Sequence, residues 1–217
     1  MSARRQPPCR PDMRVMGIVL AAGAATRFGS PKQLAPFDGR PLLQHPLDAL
    51  AAAGIDDVVV VLGAEAGAIK AAITWRGERR LVNERPQDGL ASSLRVGLEA
   101  AAEDPTVEAV LVVLGDQPGL RREVIEAIAA GAAATDRPIV RPRYARDGAP
   151  NPVLVRRAAW SLAAGLEGDR GLGPLLAAHP ELVHEVAVAG SIPDVDTPAD
   201  LAAAASGAAP AQRGARG

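Results

Sequence analysis

Three runs in this chain are apolar at every position, and they constrain its fold more than any other feature. They are "GIVL" (17–20), "VVVVL" (58–62) and "AVLVVL" (109–114). Strands that are apolar on both faces are buried on both sides, as in parallel sheets covered by helices. All three runs are far shorter than the roughly 20 residues that a membrane-spanning helix needs. They therefore predict the central strands of a buried sheet.

Strand-like and helix-like segments alternate along the rest of the chain. Strands are predicted at 15–20, 57–62, 80–83, 109–114, 138–141, 152–155 and 184–188. Helices are predicted at 41–53, 65–73, 90–103, 121–133, 156–165 and 172–178, with a last one from about 198. This alternation predicts an α/β fold of three layers, α/β/α and Rossmann-like, around a mostly parallel, mixed sheet. "PIVRP" (138–142) and "NPVLV" (151–155) contain prolines, which places them nearer an edge of the sheet.

Local signals mark several helix ends. Pro41 and Pro198 suit the first turn of a helix, and Thr197 is a good cap in front of Pro198. Gly54 follows a run of alanines and predicts the end of the helix before it.

Composition bounds the domain organisation and the partners. The 217 residues predict one domain over 14–205, with disordered tails at 1–13 and 206–217. A net charge of −1 and an aromatic content of 2% disfavour nucleic acid and anionic membranes as partners. Cys9 is the only cysteine, and the start of the chain lacks the apolar stretch of a secretory signal, so we expect a cytoplasmic protein without disulfides.

The segment "LAAGAATRFGSPKQL" (20–34) follows the first predicted strand, where α/β proteins commonly bind phosphate. Gly23 allows the backbone to approach a ligand with its N–H groups, and Arg27 and Lys32 add two cations that suit a triphosphate. Phe28 stands where a P-loop needs its second glycine, and Ala25 where a dinucleotide loop needs one. Taken alone, the segment is equally compatible with a turn whose Arg27 and Lys32 face water.

Two carboxylates are candidates for a metal site at the same edge of the sheet. Asp116 directly follows a buried strand and its glycine, and Asp196 lies in a turn before the last helix. Strand-end carboxylates facing a triphosphate suit Mg²⁺, which prefers a few carboxylate oxygens together with phosphate and water. A turn or capping role is the alternative for each aspartate.

Five motifs in order resemble those of the nucleotidyltransferases of the molybdenum-cofactor type. They are "LAAGAATRFGSPKQL", "NERPQDGLASSLRVGL" (83–98), "VVLGDQPGL" (112–120), "GLEGDRGLGPLL" (165–176) and "IPDVDTPADL" (192–201). The nearest match is to molybdopterin cytidylyltransferases. This resemblance implies a nucleotidyltransferase fold, and a Mg²⁺-dependent transfer of CMP from CTP to the phosphate of molybdopterin with release of pyrophosphate. It also implies that Asp116 and Asp196, rather than Asp194, hold the metal.

The resemblance assigns the remaining nucleotide contacts. Arg27, Lys32 and Asp116 become the catalytic residues, since cations and a metal must neutralise two anions that react with each other. Backbone contacts to base and ribose are expected from Leu20, Ala21, Ala22 and Gly23. Contacts from the second motif are expected from Asn83, Gly89 and Ser92. Asn83 can read a base edge, whereas Ser92 can equally cap its own helix.

The acceptor region departs from the family pattern. The family commonly has Gly-His-Pro-Val where this chain has "GAPNPV" (148–153). Arg141 and Arg143, with Arg146, are candidates for gripping an anionic pterin phosphate, although basic loops are often only solvated. Asp169 in "GDRG" is the candidate for orienting the acceptor, unless the two glycines only flank a turn.

Other functions remain open at this point. The donor can be GTP, and the acceptor can be a sugar phosphate or methylerythritol phosphate. A different class is a nucleotide-binding chaperone that carries the finished cofactor to a molybdoenzyme without turnover. The scattered His45, His179 and His184 form no zinc-ligand spacing with Cys9.

Overall fold

Nine strands are present in the computed structural model, which describes residues 13–23, 31–145, 150–169, 171–190, 192, 195, 197 and 199–201. Seven of them form the central sheet, and β2 and β3 form a separate hairpin. In chain order the strands are β1 (Val15–Ala21), β2 (Pro36–Phe37), β3 (Arg40–Pro41), β4 (Val58–Leu62), β5 (Arg79–Val82), β6 (Ala109–Leu114), β7 (Ile139–Tyr144), β8 (Val153–Arg156) and β9 (Val183–Val188).

The central sheet is mixed, with the order β5-β4-β1-β6-β8-β7-β9. Strands β5, β4, β1 and β6 are parallel, β8 is antiparallel to both of its neighbours, and β9 is parallel to β7. The three fully apolar runs are β1, β4 and β6, and none of them lies at an edge. The proline-containing segments include β7, which is next to the edge strand β9, and β8, which lies between β6 and β7. The predicted mostly parallel α/β sheet is confirmed.

Helices cover both faces of the sheet and close two apolar cores. They are α1 (Gln44–Ala52), α2 (Ala66–Ala72), α3 (Leu90–Ala102), α4 (Arg122–Ala133), α5 (Trp160–Ala164) and α6 (Gly173–Ala178). On one face, side chains such as Leu94 and Leu98 of α3 and Trp160 of α5 pack against the sheet. On the other face α1, α2 and α4 pack against it, with Leu50 and Ile128 fully buried. None of the helices in these described ranges is long and apolar enough to span a membrane.

Two of the predicted helix ends are confirmed. Gly54 has φ +75° and donates its N–H to the carbonyl of Ala51, and Ile55 donates to the carbonyl of Leu50, which ends α1. Thr197 Oγ accepts from the N–H of Asp200 at 3.1 Å and donates to that carboxylate at 2.8 Å. Pro198 and the predicted tails, apart from Met13, lie outside the described residues.

The predicted role of Pro41 in the first turn of α1 is wrong. Pro41 lies in β3, opposite Pro36, and α1 begins at Gln44. The cause is a tight turn at Asp38 and Gly39, whose φ angles are +47° and +74°. An Asp-Gly pair between two short strands is a strong hairpin signal, and it outweighs the preference of proline for a helix start.

The carboxyl ends of β1, β4, β5 and β6 lie along one rim of the sheet because these strands are parallel. Their following segments begin at Ala22, Gly63, Asn83 and Gly115. All the motifs that suggested ligand binding in the first half of the chain begin at this rim, as expected for an open α/β sheet.

Candidate functional site

Lys32 and Asp116, which are 84 residues apart in sequence, form an ion pair at this rim. Lys32 begins a short 3-10 turn (Lys32–Leu34) after Pro31, and Asp116 lies two residues beyond the end of β6. The Lys32 Nζ to Asp116 Oδ2 distance is 2.8 Å, and the two side chains are 14% and 31% exposed. The structure therefore brings together two of the three predicted catalytic side chains.

The second oxygen of Asp116 is the feature of the site that most directly suggests a metal ion. Asp116 Oδ1 is buried and has no hydrogen-bond donor among the residues that the structure describes. A buried, negatively charged oxygen without a partner is costly, and a hard divalent cation would satisfy it. The chemistry of this oxygen fits the Mg²⁺ site that the resemblance implies.

The last motif also reaches the end of β6. The N–H of Val195 donates to the backbone carbonyl of Asp116 at 3.4 Å. Asp194 and Asp196 lie outside the described residues, as does Arg27, so their predicted roles stay predictions. The position of Val195 nevertheless brings the "IPDVDTPADL" segment to the predicted metal residue.

Three backbone carbonyls of residues 20–23 accept hydrogen bonds. The carbonyl of Leu20 accepts from the N–H of Gly115 at 2.9 Å. Gln33 Nε2 donates to the carbonyl of Ala21 at 2.8 Å and to that of Gly23 at 3.2 Å. Ala22 is buried and Gly23 is exposed. The predicted backbone contacts are therefore located on a fixed segment beside Lys32.

Two glycines that the sequence analysis did not single out allow this packing. A Cβ at Gly63 would lie 2.5 Å from the carbonyl oxygen of Ala22, and one at Gly115 would lie 3.0 Å from the Cβ of Ala21. Each glycine directly follows one of the fully apolar strands, β4 or β6. A glycine at the end of both strands was a readable signal that the backbone of a neighbour passes close by.

Asn83 points into the protein rather than into open space. It is 4% exposed, and its amide donates to Ser92 Oγ at 2.7 Å and Ser93 Oγ at 3.0 Å. Its Oδ1 accepts from the N–H of Arg85 at 2.9 Å. Both N–H groups of Asn83 are therefore used, and donating to a base would require it to give up one of these bonds. Its role in reading a base edge stays a prediction. Ser92 does not cap α3, because its hydroxyl bonds the carbonyl of Gly89 at 2.7 Å.

Gly89 brings the "GDRG" segment against the start of α3. Its φ of +89° and ψ of −178° are available essentially only to glycine. A Cβ at this position would lie 2.6 Å from the carbonyl oxygen of Gly168 and 2.7 Å from Asp169 Oδ1. The same Gly168 carbonyl accepts from the N–H of Ala91 at 3.0 Å. The predicted nucleotide residue Gly89 and the predicted acceptor residue Asp169 are therefore neighbours.

Arg141 and Arg143 lie on β7 and share one acidic partner. Arg141 forms an ion pair with Glu185 of β9, and Arg143 Nε lies 3.7 Å from the same carboxylate. This pairing differs from the solvated loop that was the alternative, because it links β7 to β9 at the sheet edge. Their predicted contact with an acceptor phosphate stays a prediction, and Arg146 lies outside the described residues.

An apolar cavity of about 170 Å³ adjoins the rim on the α3 side of β6. Its walls include Leu20, Leu94, Leu114 and Val153, and Asn151 borders it. The Tyr144 hydroxyl donates to the carbonyl of Asn151 at 2.6 Å. Burial raises the pKa of Tyr144 far above its usual value, so this phenol keeps its proton and its bond.

Comparisons with known proteins agree with this geometry. A family model described as the MobA-like NTP transferase domain matches residues 17–183. "Nicotine blue oxidoreductase" of Paenarthrobacter nicotinovorans is 34% identical over 176 residues, 78% of this chain and 84% of that protein.

Solved structures show the same similarity. The crystal structure of Rv0371c from Mycobacterium tuberculosis H37Rv has a TM-score of 0.77 and 36% identity, over 87% of this chain and 95% of that one. A structure of Rv0371c in complex with manganese has a TM-score of 0.75 and 34% identity, over 88% of this chain and 97% of that one. The family model spans the Lys32 segment, the Asn83 segment, Asp116 and the "GDRG" motif. The chain therefore belongs to the nucleotidyltransferases of the MobA-like NTP transferase family.

Proposed function

We propose that this protein transfers CMP from CTP to the phosphate of molybdopterin, releases pyrophosphate and uses Mg²⁺. The observation that carries this proposal is the Lys32–Asp116 ion pair, whose buried oxygen Asp116 Oδ1 has no hydrogen-bond donor among the described residues, together with the hydrogen-bonded segment 20–23. A cation donor, a metal-binding oxygen and close-packed backbone are what a nucleoside triphosphate requires. Delivery of the product to a cytoplasmic molybdoenzyme belongs to the same proposal.

The bond changes define what the residues must do. An oxygen of the acceptor phosphate forms a bond to the α-phosphorus of CTP, and the bond from that phosphorus to the pyrophosphate oxygen breaks. Both reactants are anions, so the protein has to neutralise charge and align the two groups. The acceptor phosphate is ionised near neutral pH, and no general base is needed.

Lys32 and Asp116 take separate partners in this mechanism. Lys32 Nζ leaves Asp116 and binds the triphosphate, where it stabilises charge on the transferring group and on pyrophosphate. Asp116, together with Asp196, would hold the metal ion. When bound, the ion would supply positive charge to the triphosphate, and the manganese complex of Rv0371c supports a divalent cation here. Arg27 adds a second cation to the phosphates.

The rim also divides into places for base and acceptor. The backbone of Leu20, Ala21, Ala22 and Gly23 and the Gly89–Ser92 region bind the nucleoside. Asp169 beside Gly89 orients the acceptor, whose ring lies toward the apolar cavity. Arg141 and Arg143 would reach the acceptor phosphate only by releasing Glu185, so we expect them to contribute least to acceptor binding.

Pyrophosphate release tests the proposal. Purified protein is incubated with Mg²⁺, molybdopterin and each of the four NTPs in turn, and a coupled assay measures pyrophosphate. The expected result is release that needs Mg²⁺, molybdopterin and CTP. Release with GTP would change the donor, and release only with a sugar phosphate or methylerythritol phosphate would change the acceptor. Nucleotide binding without any release would contradict turnover and favour a cofactor chaperone.

The similarity to "nicotine blue oxidoreductase", at 34% identity over most of both chains, favours one second candidate. In that case the protein would be an oxidoreductase that acts on an organic dye. Absorbance of nicotine blue, recorded with the protein and NADH or NADPH, separates the two functions. Bleaching of the dye together with no pyrophosphate release from any NTP would replace the first proposal by the second.

A further inference from the structure

Gln33 is a buried glutamine whose side-chain amide donates hydrogen bonds to backbone carbonyls. It is 6% exposed, and Nε2 donates to the carbonyls of Ala21 and Gly23 at 2.8 and 3.2 Å. A primary amide carries two N–H donors, so one side chain can hold two carbonyls that are two residues apart. Gln33 therefore ties the segment after β1 to the turn that carries Lys32.

The turn that carries Gln33 is itself anchored. The backbone carbonyl of Gln33 accepts from the N–H of Leu43 at 3.0 Å, and that of Ala35 accepts from Leu42 at 2.9 Å. Leu42 and Leu43 are fully buried at the start of α1. The amide of Gln33 thus starts from a fixed position and can fix the segment it bonds.

The bond to Ala21 also sets the direction of a donor. A trans peptide unit is planar, and its C=O and N–H point in opposite directions. Because the carbonyl of Ala21 faces Gln33, the N–H of Ala22 faces away from it. Gln33 therefore controls where a backbone N–H of the proposed nucleotide segment points.

We infer that Gln33 is a positioning residue, which holds Ala21–Gly23 in the conformation that binds the nucleotide and keeps Lys32 in register with it. This inference rests on the proposed nucleotide site. Gln33 touches neither substrate, and it acts through the backbone that does.

Gln44 provides a matched control. It is also 6% exposed, and its amide bonds the backbone of Thr74, donating to the carbonyl at 3.2 Å and accepting from the N–H at 3.0 Å. It donates to Asp48 Oδ1 at 3.1 Å as well. Methionine keeps the length of glutamine and removes its polar atoms. Gln44→Met should therefore lose at least as much stability as Gln33→Met in urea unfolding.

Nucleotide kinetics should separate the two variants. Gln33→Met is expected to raise KM for the NTP about tenfold, as when one well-placed hydrogen bond is lost, and to change kcat by less than about threefold. Gln44→Met is expected to leave KM unchanged. A loss of kcat in proportion to the unfolded fraction, with KM unchanged in both, would reduce Gln33 to a structural residue and overturn the inference.

Gln33→Glu adds a pH readout that packing alone would not produce. An ionised carboxylate opposite two carbonyls is repelled, whereas the protonated acid can donate to one of them. Burial raises the pKa of such a carboxyl group. The KM deficit of Gln33→Glu should therefore shrink between pH 8 and pH 6, while that of Gln33→Met stays constant. The same pH dependence in both variants would contradict the inference.

Hydrogen exchange keeps the inference testable apart from the proposed function. If the wild-type protein binds no NTP, the proposed function fails, and exchange of backbone amides in 20–23 still decides the role of Gln33. Exchange there should be faster in Gln33→Met than in wild type or Gln44→Met. Unchanged exchange would overturn the role of Gln33, whatever the nucleotide result.

Discussion

Two groups of residues at the rim of the sheet, here called the charged side and the neutral side, differ in their chemistry. The charged side consists of Lys32 and Asp116, and it leaves a buried carboxylate oxygen without a donor among the described residues. The neutral side consists of Asn83, Ser92 and Gly89, where the Asn83 amide uses both of its N–H groups and its oxygen. The charged side thus has a buried acceptor with no described donor, whereas the Asn83 N–H groups of the neutral side are both in use.

The two sides therefore differ in how readily they can take a new partner. In the proposed function, Lys32 exchanges Asp116 for a phosphate and Asp116 takes a metal ion in its place. The Asn83 amide has both N–H groups in use, so a new acceptor there would cost an existing bond. We therefore expect substitutions on the charged side to alter activity and metal binding, and those on the neutral side to alter stability first.

Lys32→Met should give the largest effect. We expect pyrophosphate release per folded molecule to fall about 10²- to 10³-fold, as when a donor to a developing charge is removed. Lys70→Met is the matched control, because Lys70 is the only other lysine and is exposed on α2. Full turnover in Lys32→Met would contradict a catalytic role of Lys32.

Gly89→Ala should give the largest effect on the neutral side. The positive φ and the approach of the Gly168 carbonyl predict a loss of about 2 kcal/mol in the free energy of unfolding. Urea denaturation measures it. Gly67→Ala on α2, where a Cβ meets nothing within 4 Å, should instead be neutral or slightly stabilising. Equal results for the two glycines would contradict the close packing of this side.

In the absence of nucleotide, substitutions of Lys32 and Asp116 should change the affinity for Mn²⁺ in opposite directions. Asp116→Asn is expected to weaken Mn²⁺ binding about tenfold, because a charged ligand is lost. Lys32→Met is expected to strengthen it by a similar factor, because it removes the cation that competes for Asp116. Electron paramagnetic resonance of free Mn²⁺ measures both affinities. Changes in the same direction would show that the two residues do not compete.

Asp48→Asn should give the smallest effect of the four substitutions. Asp48 forms ion pairs with Arg40 and Arg76, away from Lys32 and Asp116, so it tests whether an ion pair outside the rim also affects turnover. Burial raises the pKa of Asp48, but hydrogen bonds from Arg76 and Gln44 and the charges of Arg76 and Arg40 outweigh it and lower the pKa below 3.8. A lowered pKa stabilises the fold above the unfolded value, and this contribution disappears as the pH falls through the folded value.

The Asp48→Asn variant should therefore be less stable by about 1 kcal/mol at pH 7, and the difference should shrink below pH 4. Turnover per folded molecule should stay at the wild-type level. Urea unfolding at pH 7 and pH 3 measures the first effect, with exposed Asp56→Asn as the control. A loss of turnover without a loss of stability would show that Asp48 belongs to the functional site.

The sequence predicted the sheet better than it predicted the site. Strands such as β6 coincide with continuous apolar runs, because a strand that is buried on both faces needs an apolar residue at every position. The sequence also predicted that Lys32 and Asp116 meet, because parallel strands end at one rim. The inward direction of Asn83 and the backbone bonds of Gln33 were missed, since the partner of a polar side chain is decided by chain segments that only the folded structure brings near.

The contact between Gly89 and Gly168 has a consequence for redesigning this protein. The carbonyl of Gly168 packs against Gly89 and also accepts a hydrogen bond from the N–H of Ala91, so a change in either segment alters the packing of the other. A chimera that takes the "GDRG" segment of a relative to change the acceptor substrate should also take residues 89–91 from that relative.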